Sequence, residues 1–190
     1  RTPFARLYGA RVVGEALNIV TAVGSVGGEA AKAWLVRRDV SYEESVPSVI
    51  IAKTTITIAQ ALFLTLGIVL AWAALDVGSE LLTAMLWLLV VEVAAVGGFL
   101  AAQLAGLVAR GGRLLQRFGV IEDLAYARTL DAALRGYYRT EWRRWALSVA
   151  FHLAGWLLGA LEALIMLWAL GIDASAVTAT AIEALGSGVR

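Results

Sequence analysis

The sequence predicts an all-α, polytopic membrane protein, on three observations. The 190-residue chain is 60% hydrophobic and only 16% charged, against about 25% charged in a soluble domain. Three stretches, 49–75, 81–109 and 145–172, each exceed the roughly 20 residues needed to cross a bilayer's hydrocarbon core. Each is nearly free of charge: the first holds Lys53 and Gln60, the second Glu92 and Gln103, the third His152 and Glu162. Mean hydropathy is +0.77. The chain has no Cys, so disulfide and thiolate chemistry are excluded. It opens on Arg1, without a basic-then-apolar leader, and stops at Arg190 inside a patterned stretch, so it reads as an internal piece of a longer chain.

The loops orient the three spans. Residues 76–80 and 171–180 contain no Lys or Arg, whereas 110–144 contains eight Arg. Cytoplasmic loops are enriched in basic residues, which places 110–144 in the cytoplasm and the two acidic links outside. Span 49–75 then runs outward, 81–109 returns, and 145–172 runs outward again.

The stretch 14–36 differs from these. Arg1, Arg6 and Arg11 precede it and Arg37 and Arg38 follow it, so both flanks read as cytoplasmic. A glycine break, Gly24-Ser25-Val26-Gly27-Gly28, offers a turn in its middle. The reading is a re-entrant hairpin or broken helix, backbone tolerated at membrane depth only where protein or a wet cavity covers it. One ordinary spanning helix is the alternative.

Within the cytoplasmic link, Leu124, Ala127, Leu130, Leu134 and Tyr138 recur at helical spacing with charges between them. This predicts a cytoplasmic amphipathic helix over 119–143, with Asp131 and Arg135 paired at i,i+4. Its end, Tyr137 to Trp145, mixes aromatic rings and Arg as membrane-interface anchors do. The basic residues are interleaved with acids, so nucleic acid is not an expected partner.

Gly14-Glu15-Ala16-Leu17-Asn18 has an echo in Ile182-Glu183-Ala184-Leu185-Gly186, and three spans lie between the copies. An odd number of crossings makes the second copy approach from the opposite face. That is the pattern of an inverted repeat whose interrupted helices meet near the midplane and form a transport site. The second broken segment is expected to begin over 176–190.

Ionisable groups at bilayer depth are costly and face the bundle interior. Lys53, Thr57, Gln60 and Gly67 form one stripe on their span; Ser148, His152, Gly155, Gly159 and Glu162 form another; Glu92 and Gln103 share a face of the third. Each has a plain reading. Lys53 can snorkel to the interface, His152 can donate to a backbone carbonyl, and Glu92 and Glu162 can be neutral core carboxyls. Beside the glycine break, Glu29 and Lys32 are three apart and can pair on one helical face. One His and no Cys make a metal site improbable, and no cofactor is expected.

Taken in order, Gly14-Glu15-Ala16-Leu17-Asn18, Gly27-Gly28-Glu29-Ala30-Ala31-Lys32-Ala33, Lys53 and Gln60 resemble the flippase-like membrane domain of lysylphosphatidylglycerol synthases. His152-Leu153-Ala154-Gly155-Trp156, Glu162, Ile182-Glu183-Ala184-Leu185 and Val189-Arg190 are most similar to its hopanoid-biosynthesis-associated branch. The chain departs from the family where Thr21-Ala22-Val23 replaces a usual Pro. The resemblance implies a multi-pass lipid flippase of the bacterial inner membrane, acting on a phospholipid or hopanoid. The aminoacylating activity of larger relatives resides in a separate soluble domain, so no enzyme activity is expected. The expected substrate-binding residues are Glu15, Asn18, Glu29 and Lys32 from the first break, Glu183 and Arg190 from the second, and Lys53, Gln60, His152 and Glu162 on the walls. Two rivals stand beside it: a non-transporting membrane subunit that organises lipid synthesis, and an intramembrane lipid-modifying enzyme using Glu and His as acid and base. Protein partners, if the chain has them, are a second copy or lipid-synthesis enzymes.

Overall fold

The computed structural model describes residues 3–20, 26–74, 78–106, 110, 111, 113, 116 and 125–189. The described residues form seven helices and no strands: α1 Phe4–Val20, α2 Val26–Val36, α3 Tyr42–Ala74, α4 Ser79–Leu104, α5 Ala125–Thr140, α6 Trp142–Ala169 and α7 Ala176–Val189. Of these, α3, α4 and α6 are long and apolar enough to cross a membrane. The chain is a membrane protein with three candidate spanning helices.

Local chemistry sets the helix ends. The charged turn before the first apolar stretch joins the helix, because Ser41 O accepts from the N–H groups of Glu44 and Ser45. α4 stops where Gly106 adopts φ 68° and donates its N–H to Gln103 O. α6 ends in a Schellman turn: Gly171, at φ 78°, donates to Trp168 O, and Ile172 donates to Leu167 O. Ser175 then caps α7, its Oγ accepting from Thr178 N at 3.0 Å. Glu141 separates α5 from α6, so the expected amphipathic segment ends at Thr140. Its expected first residues, 119–124, lie outside the described residues, as do Thr21–Ser25 of the glycine break and Arg190.

Two compact units are present, Arg1–Lys53 with Ala102–Thr140, and Thr54–Ala101 with Glu141–Arg190. In the first, α1 and α2 lie antiparallel, tied by Arg6 to Asp39 at one end and by Asn18 to Gly28 at the other. The same unit packs α5 on the start of α3 through Ile51, Leu130 and Leu134. Tyr138 donates to Gln103 Oε1 at 2.9 Å. Gln103 is therefore used for packing, beside the buried Asp131.

The second unit is built on Phe63, Leu64, Ile68, Met85, Ala160 and Ala184. The Phe63 and Trp156 rings stack with centroids 5.9 Å apart. α6 and α7 run antiparallel, closed by Trp168 Nε1 donating to Ala174 O at 2.9 Å. Thr55 and Ser148 hydroxyls bond at 3.0 Å, and Gln60 Nε2 donates to Ser187 O at 2.7 Å. Gly67 lies against Ala184, where a Cβ would collide with the alanine methyl. α4 contrasts with these: only 6% of its most apolar window is buried. Met85 packs into this unit's core, and the exposed apolar remainder of α4 is left to lipid.

Candidate functional site

α1 and α2 meet on two glycines. A Cβ on Gly28 would run into Gly14 O and the Asn18 side chain; a Cβ on Gly14 would run into the Lys32 stem and Gly28 O. The backbones therefore approach at the distance small residues permit. The Asn18 side-chain carbonyl accepts from Gly28 N at 2.9 Å. Gly28 is in the first turn of α2, whose N–H groups have no partner within the helix. Asn18 thus caps α2 from a neighbouring helix.

On this seam sits a three-residue charge cluster. Lys32 Nζ lies 2.8 Å from Glu15 Oε1 and 2.8 Å from Glu29 Oε1. The Lys32 and Glu29 side chains are 16% and 19% exposed and that of Glu15 is 49% exposed, so the cluster is open on the α1 side. The hydrogen bond from Lys32 holds the Glu15 carboxyl below its ordinary 4.5, against a smaller opposing effect of burial. Burial pulls the Lys32 ammonium down, but the bonds from Glu15 and Glu29 outweigh it and the net shift is upward from 10.5. Two carboxylates share one ammonium, so these three residues carry one negative charge in excess, partly offset at Glu15 by the nearby charge of Arg11.

The expected pair of Glu29 and Lys32 is formed, and Glu15 and Asn18 join it. The other expected site residues are elsewhere. Lys53 is exposed in the first unit. In the second unit Gln60 is engaged with the α7 backbone, His152 is half-buried, and Glu162 is exposed on α6, ten positions away. Glu183 is half-buried on α7, with its Oε1 3.6 Å from where a Gly159 Cβ would be. Gly155, the other glycine of that stripe, has open space around it, and a Cβ at Gly159 would meet Glu183 only at ordinary contact distance, so neither glycine is demanded by a close approach. Arg190 lies outside the described residues. Both carboxyl oxygens of Glu92 are buried without a hydrogen-bond partner among the described residues. The two Glu-Ala-Leu copies pack differently: α1 packs on the helix that follows it, α7 on the helix that precedes it. Among the described residues no three His, Asp or Glu are grouped closely enough to ligate a metal ion.

Sequence reasoning missed the link from Glu15 to Lys32 and the contact of Gly14 with Gly28. A signal was present. Gly14 and Asn18 are four apart, and so are Gly28 and Lys32. Each helix thus puts a glycine and a polar side chain on one face, one turn apart. Arg37, stacked 3.7 Å over the Trp34 ring, was also missed.

No curated protein and no solved structure matches the chain. A family model does, over residues 1–187. Its extent, together with three helices able to span a membrane, settles the membership: the chain belongs to the family described as the lysylphosphatidylglycerol synthase TM region.

Proposed function

We propose that the chain is a lipid flippase domain that captures a headgroup at the Glu15–Lys32–Glu29 cluster. Family membership supports a role in membrane-lipid function. The observation that carries the finer reading is a charge cluster on a helix pair too short to span. α1 has 17 residues and α2 has 11, about 26 and 17 Å of helix, against a hydrocarbon core of about 30 Å. With Arg on both flanks, the pair is read as a re-entrant hairpin entering from the cytoplasmic face of a bacterial inner membrane. α7 with Glu183 is read as the start of its inverted counterpart. The excess negative charge suits the cationic group of a charged or zwitterionic headgroup, and the exposed edge of Glu15 is where it docks. The lipid, phospholipid or hopanoid, keeps its tail in the bilayer. The chain acts without covalent chemistry.

Translocation of headgroup-labelled phospholipids in liposomes, read with a membrane-impermeant quencher, tests this. Glu29→Gln leaves Lys32 with a single carboxylate and removes the excess charge, so the expected result is loss of translocation with the fold retained. Translocation that survives the substitution overturns the assignment of the cluster. One observation favours a second reading, the non-transporting subunit: Lys32 is already bonded to both carboxylates. That reading expects no translocation of any lipid class by folded protein.

A further inference from the structure

The α1–α2 pair has a second flank that the charge cluster does not use. Val13, Leu17, Ala31, Trp34 and Leu35 line an apolar groove there, a cavity of about 580 Å³. A second cavity of about 320 Å³ shares Val13 and Leu35 with it and continues along α1 past Gly9 to Arg6. The groove and the cluster face opposite ways. Glu15 is two residues from both Val13 and Leu17, and Lys32 is two residues from both Ala30 and Trp34, with Leu35, three from Lys32, at the border between the two flanks. Two residues turn a helix by about 200°.

Three features identify an occupant. The groove is within the roughly 300–1,000 Å³ of sites that bind small molecules. It is apolar at Leu17 and Ala31 and reaches Arg6 at its other end, and its Trp34 carries the Arg37 guanidinium stacked on the indole ring, outside the lining itself. Arg6 is neutralised by Asp39, but Arg37 is not: its Nη1 donates to Trp34 O at 2.7 Å, and it has no carboxylate partner among the described residues. Arg37 keeps further N–H donors for a phosphate, which a planar guanidinium binds well. The third feature is length. From Arg6 to Leu17 is eleven residues, about 16 Å of helix, and one leaflet of a roughly 30 Å hydrocarbon core is about 15 Å.

We propose that this groove holds one acyl chain of an anionic phospholipid of the cytoplasmic leaflet, with its phosphate on Arg37. The inference rests on the membrane placement of the hairpin in the proposed function, not on translocation. The bound lipid is a resident one that seats the hairpin, separate from the headgroup captured at the cluster.

The test uses the full chain in phosphatidylcholine liposomes doped with phosphatidylglycerol bearing a photoactivatable group near the end of one acyl chain. Labelled peptides are mapped by mass spectrometry. The expected result is label concentrated on Leu17, Ala30 and Ala31, above the level on the exposed face of α4. Arg37→Gln, at an exposed position, lowers that label roughly fivefold, the equivalent of one charge at an anionic surface. Ala31→Trp fills the groove and abolishes it. Label spread evenly over α4 and the groove overturns the proposal, as does label indifferent to Arg37→Gln or equal label from a phosphatidylcholine probe. A folded protein that moves no lipid but keeps the Arg37-dependent label overturns the flippase reading alone.

Discussion

Gly14 and Gly28 set how closely the charge cluster can form. Each occupies a place where even a methyl group meets backbone or a buried side chain. Gly28→Ala overpacks the seam, at a cost of about 1–3 kcal/mol. The chain has no native Cys, so parent and variant share the same thiol-free chemistry. Scanned by thermal unfolding in detergent, Gly28→Ala is expected to unfold several degrees below the parent. Acid acts on the same contact. The Glu15 carboxyl is held below 4.5 in the folded protein, so its contribution is fully present above 4.5 and is lost as pH falls through the depressed folded value. The expected outcome is a thermal unfolding midpoint that falls at low pH in the parent, with a smaller fall in Glu15→Gln. High salt weakens the effect, because the Glu15 edge of the cluster is open. The residue-level chemistry was half legible. The pair of Glu29 and Lys32 is three apart in sequence, so helical geometry alone brings it together. Glu15 is seventeen residues from Lys32, and only the packing of two glycines makes them neighbours.

Among the elements, the spanning helices were the most legible, because apolar length is a local property that needs no knowledge of neighbours. Their ends were less so. Residues 42–48, which include Glu43 and Glu44, extend α3 beyond its apolar stretch, and α4 stops at a glycine turn inside a stretch that reads as a single span. Gly106 illustrates why. Its φ of 68° is open to glycine, and a Cβ there would also run into the Arg135 guanidinium and approach Asp131. Left-handed backbone costs an ordinary residue about 1–2 kcal/mol. Gly106→Ala is therefore expected to lower the thermal unfolding midpoint in detergent, while Gly155→Ala, which meets open space, does not lower it and gains from alanine's better helix propensity. Equal effects of the two substitutions would remove the turn from the account. The polar stripes on the spans were visible as spacing, but spacing did not say what they face. Gln103 is bonded to Tyr138 and Gln60 to the α7 backbone.

The whole chain is read across the membrane from where its arginines lie. With 110–144 cytoplasmic, a cysteine placed at Arg139 is expected to react with an impermeant maleimide only from the cytoplasmic side, and one at Gly78 or Asp173 only from the opposite side. Both exposed external positions and Arg139 are accessible at the surface of their own units. The reverse labelling would invert the topology and move the α1–α2 flanks to the other face. α4 carries one more consequence. Away from Met85 and Gln103, its exposed face meets lipid tails, which fit one branched hydrocarbon about as well as another, so few positions on that face are held to a particular side chain by shape. Over evolutionary time Leu86, Val90, Val91 and Val93, all exposed, can exchange freely among apolar residues, while Gly14 and Gly28 cannot accept a single added carbon. Most drift in this chain should accumulate on the helix with the greatest hydrophobicity, and a saturation library scored for membrane insertion and folding would find its tolerant positions there.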